Sequence, residues 1–243
     1  MERNLSVLEH LKELRGRIIA SLVALGLATL ISLPFSQHIL KALKYPAGDA
    51  IGKLAFFSPE EAFMIYMKVA FTAGLMISCP VIAYQIWAFI SPAVSDDLKK
   101  NASYFIVFVS AAFASGCLFA YFILLPSALR FLLSLGNADL VAVISAMKYI
   151  SFVTTIIIIC GAIFEMPVLS YLLTRLGIVN AAEMRKRMGY AIVIIAAISA
   201  VITPTGDAFN MMLLALPMVI LYEFSIWVSW TAGLLKKKKG IYG

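Results

Sequence analysis

Four groups of residues in this chain could carry chemistry, and each is built on carboxylates. Glu165 stands out most. It is the only charged residue between Tyr149 and Leu173. It lies eight residues from the end of that apolar run, about 12 Å inside at 1.5 Å per residue. A carboxylate at that depth is costly unless it is protonated, paired or wetted. Pro167 follows two residues later, and its missing N–H leaves the Ile163 carbonyl without a helical donor. A polar kink in an otherwise apolar helix fits a docking point for a partner's side chain or a wet cavity. A structural interhelical hydrogen bond fits the same residues.

The second group is Glu9 and Glu13, four residues apart, with Arg17 four beyond Glu13. Leu8, Leu11, Leu14 and Ile18 share one face of the same segment, so residues 5–17 read as an amphipathic helix. Two functions fit it: an interfacial helix with weak surface ion pairs, or an acidic docking patch at the membrane surface. Asp96 and Asp97 form the third group, beside Lys99 and Lys100. If they lie near Glu9 and Glu13, four carboxylates face a basic ligand. Arginine is favoured there because its planar fork binds carboxylates bidentately. The fourth group is Asp207, placed to cap a helix start, and Glu223, placed to bond a loop or the N-terminal helix.

No catalytic constellation accompanies these acids. The sequence has no GxxxxGK[ST] loop, no HExxH and no GxSxG elbow. Its two histidines, His10 and His38, are expected on opposite sides of a membrane. Cys79, Cys117 and Cys160 each sit inside an apolar stretch without zinc or CxxC spacing, so they read as buried thiols. The expectation is therefore a binding protein, not an enzyme, with no cofactor or metal.

The elements that must position the acids follow from composition. Of 243 residues, 62% are apolar and 14% charged, with a mean hydropathy of +0.95. Soluble domains carry about 25% charged residues. This excludes a soluble enzyme, a disordered chain and a disulfide scaffold, and points to an all-α integral membrane protein. Six apolar segments stand at about 18–37, 62–90, 104–127, 149–173, 188–202 and 208–235, making residues 1–243 one polytopic domain behind an amphipathic segment 1–17. The first apolar run follows a charged helical segment and no A-x-A-like site closes it, so no cleavable signal peptide is expected.

The net charge of +7 would suggest nucleic acid in a soluble protein. Here the bases sort by loop. Fourteen lie in 1–17, 91–103, 174–190 and the tail, against Lys41, Lys44, Lys53, Arg130 and Lys148 on the other side. By the positive-inside rule both termini are cytoplasmic, which six spans also require. Segment five is 15 residues, about 22 Å, and segment six is apolar only from Ala208 to Tyr222 before Glu223. Both read as short and joined by a tight turn at Thr203–Asp207, which would thin the membrane locally. In segment two, Ser58-Pro59-Glu60-Glu61 reads as a helix start, Pro80 as a kink and Ser91-Pro92 as the end. Residues 38–60, with Pro46, Gly48 and Gly52, are expected to form a short helix and a cap. No internal repeat is visible.

These features converge on a known family. His10-Leu11-Lys12-Glu13-Leu14-Arg15-Gly16-Arg17 resembles the HLxELRxR start of TatC proteins, the six-span core subunits of the twin-arginine translocase. Pro80-Val81-Ile82-Ala83-Tyr84-Gln85-Ile86-Trp87-Ala88-Phe89-Ile90-Ser91-Pro92-Ala93 resembles their PVxxYQxWxFxxPAL signature. Phe119-Ala120-Tyr121-Phe122 with Pro126, Ser151-Phe152, Phe164-Glu165-Met166-Pro167, Thr203-Pro204 with Asp207, and Leu216-Pro217 with Tyr222-Glu223 match further. The likeness covers about residues 8–230.

The resemblance implies a receptor for the twin-arginine signal peptides of folded cargo. It also implies a bacterial or archaeal cytoplasmic membrane, transport driven by the proton-motive force, several copies per translocon, and TatA- and TatB-type single-span partners. Besides these it leaves membrane lipid, and no nucleic acid, as a partner. It assigns Glu13 to signal binding, with Arg15, Arg17 and Phe89 at matching positions, and Glu165 to partner-helix contact. Glu9, Asp96 and Asp97 join the first group, and Pro167 and Met211 the second. Pro46, Pro80, Pro92, Asp207 and Glu223 are structural. Two positions depart from the pattern. Leu98 replaces the usual first-loop glutamate, for which Asp96 or Asp97 could substitute, and Met211 replaces a residue polar in some members. Rival readings are an ion-coupled secondary transporter using Glu165 and a purely structural assembly subunit.

Overall fold

The computed structural model describes residues 7–50, 54–93, 102–134, 144–203 and 207–238. Ten α-helices are present among them: α1 (Val7–Ser32), α2 (Ser36–Lys44), α3 (Pro59–Ile90), α4 (Ala102–Phe119), α5 (Leu125–Ser134), α6 (Ala146–Ile163), α7 (Met166–Leu176), α8 (Ala181–Lys186), α9 (Met188–Ile202) and α10 (Ala208–Lys238). No strand occurs among the described residues beyond a single parallel bridge between Ala55 and Ser145. A π-helical turn, Ala120–Leu124, joins α4 to α5.

Five stretches are long and apolar enough to cross a membrane: Glu9–Gly48, Pro59–Ile90, Ala102–Ser134, Ala146–Leu176 and Ala208–Leu234. The sixth apolar helix, α9, has 15 residues. Large apolar side chains point outward along these helices, among them Leu22, Leu30, Ile31, Val193 and, at 86% exposure, Val201. In water such a surface would be a severe liability; against lipid it is the natural boundary. The chain is a multi-span membrane protein.

Local chemistry sets the helix limits. α3 begins at Pro59, with Glu60 and Glu61 in its first turn and the Glu61 carboxylate accepting from the Phe57 N–H at 3.0 Å. It runs unbroken through Pro80 and gives way at Ile90 to a 3₁₀ turn, Ser91–Ala93. α7 ends in a Schellman motif. Gly177 takes φ 82°, its N–H donates to Thr174 O, and the Ile178 N–H donates to Leu173 O at 3.0 Å. Asn180 caps α8 through the Glu183 N–H at 2.8 Å. The expected short helix within 38–60 is supplied by the end of α2, followed by a 3₁₀ turn over Tyr45–Ala50.

One length differs from the sequence expectation. α9 is short, but α10 is a single helix of 31 residues. Glu223 interrupts the apolar run but not the helix, and its carboxylate meets Arg185 at 2.6 Å. Of the expected turn between α9 and α10, Thr203 is extended. Residues 204–206 lie outside the described set.

The chain divides into two compact units, Met1–Lys41 with Tyr66–Ala111, and Ala42–Ile65 with Ala112–Gly243. In the first, α1 and α3 touch almost backbone to backbone. A Cβ added to Gly74 would lie 2.7 Å from the Thr29 nitrogen and 2.8 Å from its Cα. Val69, Ala70 and Ala83 are buried along α3.

The second unit has its densest core on α6, where Ile150, Val153 and Ile157 are almost wholly buried, with Leu125 of α5. α7 and α10 pack through small hydroxyl residues; Thr174 and Ser229 share a hydrogen bond at 2.7 Å, and Ser225 and Ser229 are buried. Two tyrosines pin the end of α2. Tyr121 donates to the Ala42 carbonyl and Tyr149 to the Leu43 carbonyl, both at 2.8 Å. These carbonyls lie in the last helical turn, where intrahelical donors run out.

Candidate functional site

The first unit gathers a polar group at the N-terminal part of α1 and the C-terminal part of α3. Arg17 donates from Nη2 to Glu13 Oε1 at 3.3 Å and from Nη1 to Gln85 Oε1 at 3.2 Å. The i, i+4 spacing puts Glu13 and Arg17 on one face of α1, and Gln85 reaches that face from α3. One turn before Glu13, the His10 ring stacks on Phe89, with centroids 4.5 Å apart and planes 23° apart. In the first turn of α4, Phe105 packs on Trp87 at 4.6 Å, and Trp87 is buried. Glu13 and Arg17 are half-buried, while Glu9 and Arg15 are exposed.

Of the residues assigned to signal binding, the structure thus brings Glu13, Arg17 and Phe89 into one neighbourhood of the first unit. Glu9 and Arg15 share the same helix. Asp96 and Asp97, with Leu98, lie outside the described residues. Gln85 had no assigned role in the sequence reading. Its only signal there was its place inside the PVxxYQxWxFxxPAL-like stretch.

The second unit holds the other group. Glu165 occupies the two-residue joint between α6 and α7. The Phe164 N–H donates to Cys160 O at 3.0 Å, the Glu165 N–H to Ala162 O at 3.2 Å, and the Leu169 N–H to Glu165 O at 2.9 Å. The helix therefore tightens for one turn and restarts, as the missing N–H of buried Pro167 requires. Oxygen Oε1 of Glu165 is buried and has no hydrogen-bond partner among the described residues, although the carboxyl group lies beside the Phe113 backbone.

Aromatic rings flank the joint. Phe164 packs on Phe119 at 5.5 Å, and Phe113 lies against Gly161, where an added Cβ would meet the ring at 2.6 Å. Gly116 lets α4 approach even more closely; a Cβ there would lie 2.5 Å from Cys160 O. A carboxyl with an unanswered oxygen in such surroundings can join one hydrogen bond with a polar side chain from another helix. In a membrane that contact is worth about 1 kcal/mol.

The remaining assigned positions are spread through the molecule. Met211 is half-buried on α10, and its N–H donates to Asp207 O at 3.1 Å. Asp207 accepts from the Asn210 N–H and from Asn210 Nδ2, both at 2.8 Å. Glu223 holds Arg185 at 2.6 and 2.8 Å, beside a bond from Tyr222 Oη to Met184 O at 2.9 Å. Pro46 lies in the 3₁₀ turn after α2, Pro80 is exposed inside α3, and Pro92 is exposed in the turn after it. Cys117 and Cys160 are buried, Cys79 is half-buried, and no disulfide joins them. No cluster of metal-ligating side chains occurs among the described residues.

The comparisons with known proteins agree with one another. The family profile for Sec-independent protein translocase protein (TatC) matches residues 9–217. The TatC protein of Aquifex aeolicus is 38% identical over 96% of this chain and 97% of its own length. That of Carboxydothermus hydrogenoformans is 33% identical over 94% of both. A crystal structure of the twin-arginine translocase receptor TatC superposes with a TM-score of 0.83, at 37% identity, over 92% of this chain and 99% of that one. These likenesses favour a translocase component over an ion-coupled transporter built on Glu165. The chain, with its five long apolar helical stretches and one short apolar helix, belongs to the TatC family of Sec-independent protein translocase proteins.

Proposed function

We propose that this chain is the receptor subunit of a twin-arginine translocase. It binds the twin-arginine signal peptides of folded cargo at the cytoplasmic face. It then works with TatA- and TatB-type single-span subunits, in several copies, to move that cargo on the proton-motive force. Its place is the cytoplasmic membrane of a bacterium or archaeon, with both termini inside and no catalytic step of its own. The observation that carries the reading is the Glu13–Arg17–Gln85 group beside the His10–Phe89 stack. Glu13 meets Arg17 through a single 3.3 Å contact, so its carboxylate suits the guanidinium of a ligand. The basic flanks of the spans support the orientation.

The test is cross-linking from a photoreactive residue at position 13 to a signal peptide. Labelling that falls when Arg-Arg becomes Lys-Lys supports the receptor; equal labelling of both peptides refutes it. Neutralising Glu13 separates the receptor from a passive scaffold, which would still bind the peptide. Glu165, with Pro167 beside it and Met211 on α10, is the proposed partner-helix contact. Glu165→Ala weakens partner association and leaves peptide binding intact. Loss of peptide binding instead would overturn that division.

A further inference from the structure

We infer that Arg17 is a built-in stand-in for the ligand's guanidinium, and that Gln85 is the positioning residue to which Arg17 withdraws when Glu13 is taken. This rests on the reading of Glu13 as the acidic contact for the signal peptide. The molecule contains two arginine–carboxylate pairs among its described residues, and they differ in kind. Arg185 and Glu223 meet through two contacts at 2.6 and 2.8 Å, the range of a strong charge-assisted fork. Arg17 gives Glu13 a single contact at 3.3 Å and turns its other terminal nitrogen to Gln85 at 3.2 Å.

Both Arg17 bonds are long for a charged donor. Glu13 Oε2 has no hydrogen-bond partner among the described residues, and the two side chains remain 33% and 28% exposed. Giving up such a pair costs no more than about fivefold in a binding constant. An incoming guanidinium can take both oxygens of Glu13 in a planar fork, a geometry closed to an ammonium group. Arg17 then keeps one acceptor, the Gln85 amide oxygen, and is not stranded beside a like charge. The specificity element for arginine over lysine is thus a three-residue exchange on two helices, with Gln85 acting through Arg17.

The experiment uses the full chain in nanodiscs and a fluorophore-labelled twin-arginine peptide, with its Lys-Lys counterpart. Gln85→Glu, nearly isosteric, draws Arg17 off Glu13 and tightens the Arg-Arg peptide by about fivefold, the scale of one modest hydrogen bond. Gln85→Leu weakens it by a similar factor and narrows the Arg-Arg to Lys-Lys ratio. Arg17→Gln alone tightens binding, and in that background both Gln85 effects disappear, the signature of coupling.

Gln85 variants that shift binding in the same direction overturn the exchange. So does an effect undiminished by Arg17→Gln, or weaker binding by Arg17→Gln itself. If Gln85→Leu does not fold, the Gln85→Glu pair with and without Arg17 decides alone. The site reading fails separately: Glu13→Gln that leaves both affinity and the peptide ratio unchanged removes Glu13 from the site.

Discussion

Replacing Gly74 by alanine tests whether the crossing of α1 and α3 holds the polar group of the first unit together. A Cβ at this position would sit 2.7 Å from the Thr29 nitrogen and 2.8 Å from its Cα. These are backbone atoms and cannot rotate away. Reaching an ordinary contact of roughly 3.5 Å requires about 0.8 Å of separation between the helices. Overpacking of this kind costs about 1–3 kcal/mol. Alanine returns about 1 kcal/mol of helix propensity.

Gly26, on α1, has nothing within 4 Å of an added Cβ, so Gly26→Ala gains the propensity without the strain. The difference between the two variants isolates the clash. At about 2–4 °C per kcal/mol for a chain this size, Gly74→Ala melts below Gly26→Ala by several degrees in a detergent thermal-unfolding assay. The same displacement has a local effect. The Arg17–Gln85 bond, 3.2 Å, opens to about 4 Å if the helices part by that amount, beyond hydrogen-bond range. Gly74→Ala should therefore also blunt any effect of Gln85→Leu on peptide binding. Equal melting temperatures for the two alanine variants would refute the close crossing and the reasoning built on it.

Further predictions concern the second unit. Tyr149→Phe leaves the buried Leu43 carbonyl without its 2.8 Å donor and costs about 1–3 kcal/mol; Tyr121→Phe, whose bond to Ala42 is exposed, costs less, and thermal unfolding of both variants checks the order. Glu223→Gln removes a two-contact pair whose side chains are 53% and 33% exposed, so it lowers stability by no more than about 1 kcal/mol. The loss shrinks in high salt, and unfolding at two ionic strengths measures it.

What could be read in the sequence was whatever depends on residues close together in the chain. Apolar runs gave the spans, Ser58-Pro59-Glu60-Glu61 marked the start of α3, and Pro167 marked the joint at Glu165. The contacts that build the sites are of another kind. Arg17 and Gln85 are 68 positions apart, and Arg185 and Glu223 are 38 apart. No periodicity announces which polar side chains meet across two helices. Glu223 reads in the sequence as an interruption of the apolar run, because the Arg185 that answers it lies on another helix. Gly74 and Gly116 were equally silent, since a close approach needs a neighbour and the sequence names none. The motif resemblance, by contrast, singles out Glu13, Phe89 and Glu165 without explaining how they are held.

The π-helical turn at Ala120–Leu124 carries a consequence for tolerance to changes in chain length. A π turn holds one residue more than the α turn it replaces, over about the same rotation. Removing a single residue between 120 and 124 would relax the turn to α geometry and leave α5 aimed as it is. Phe131 would keep its stack on Phe209, now 4.1 Å between centroids, and Leu125 its fully buried position. The same deletion in the regular turns of α4 or α5 would swing everything beyond it by about 100°. The turn is a slack link: it stores one residue of chain without re-aiming the helix that follows.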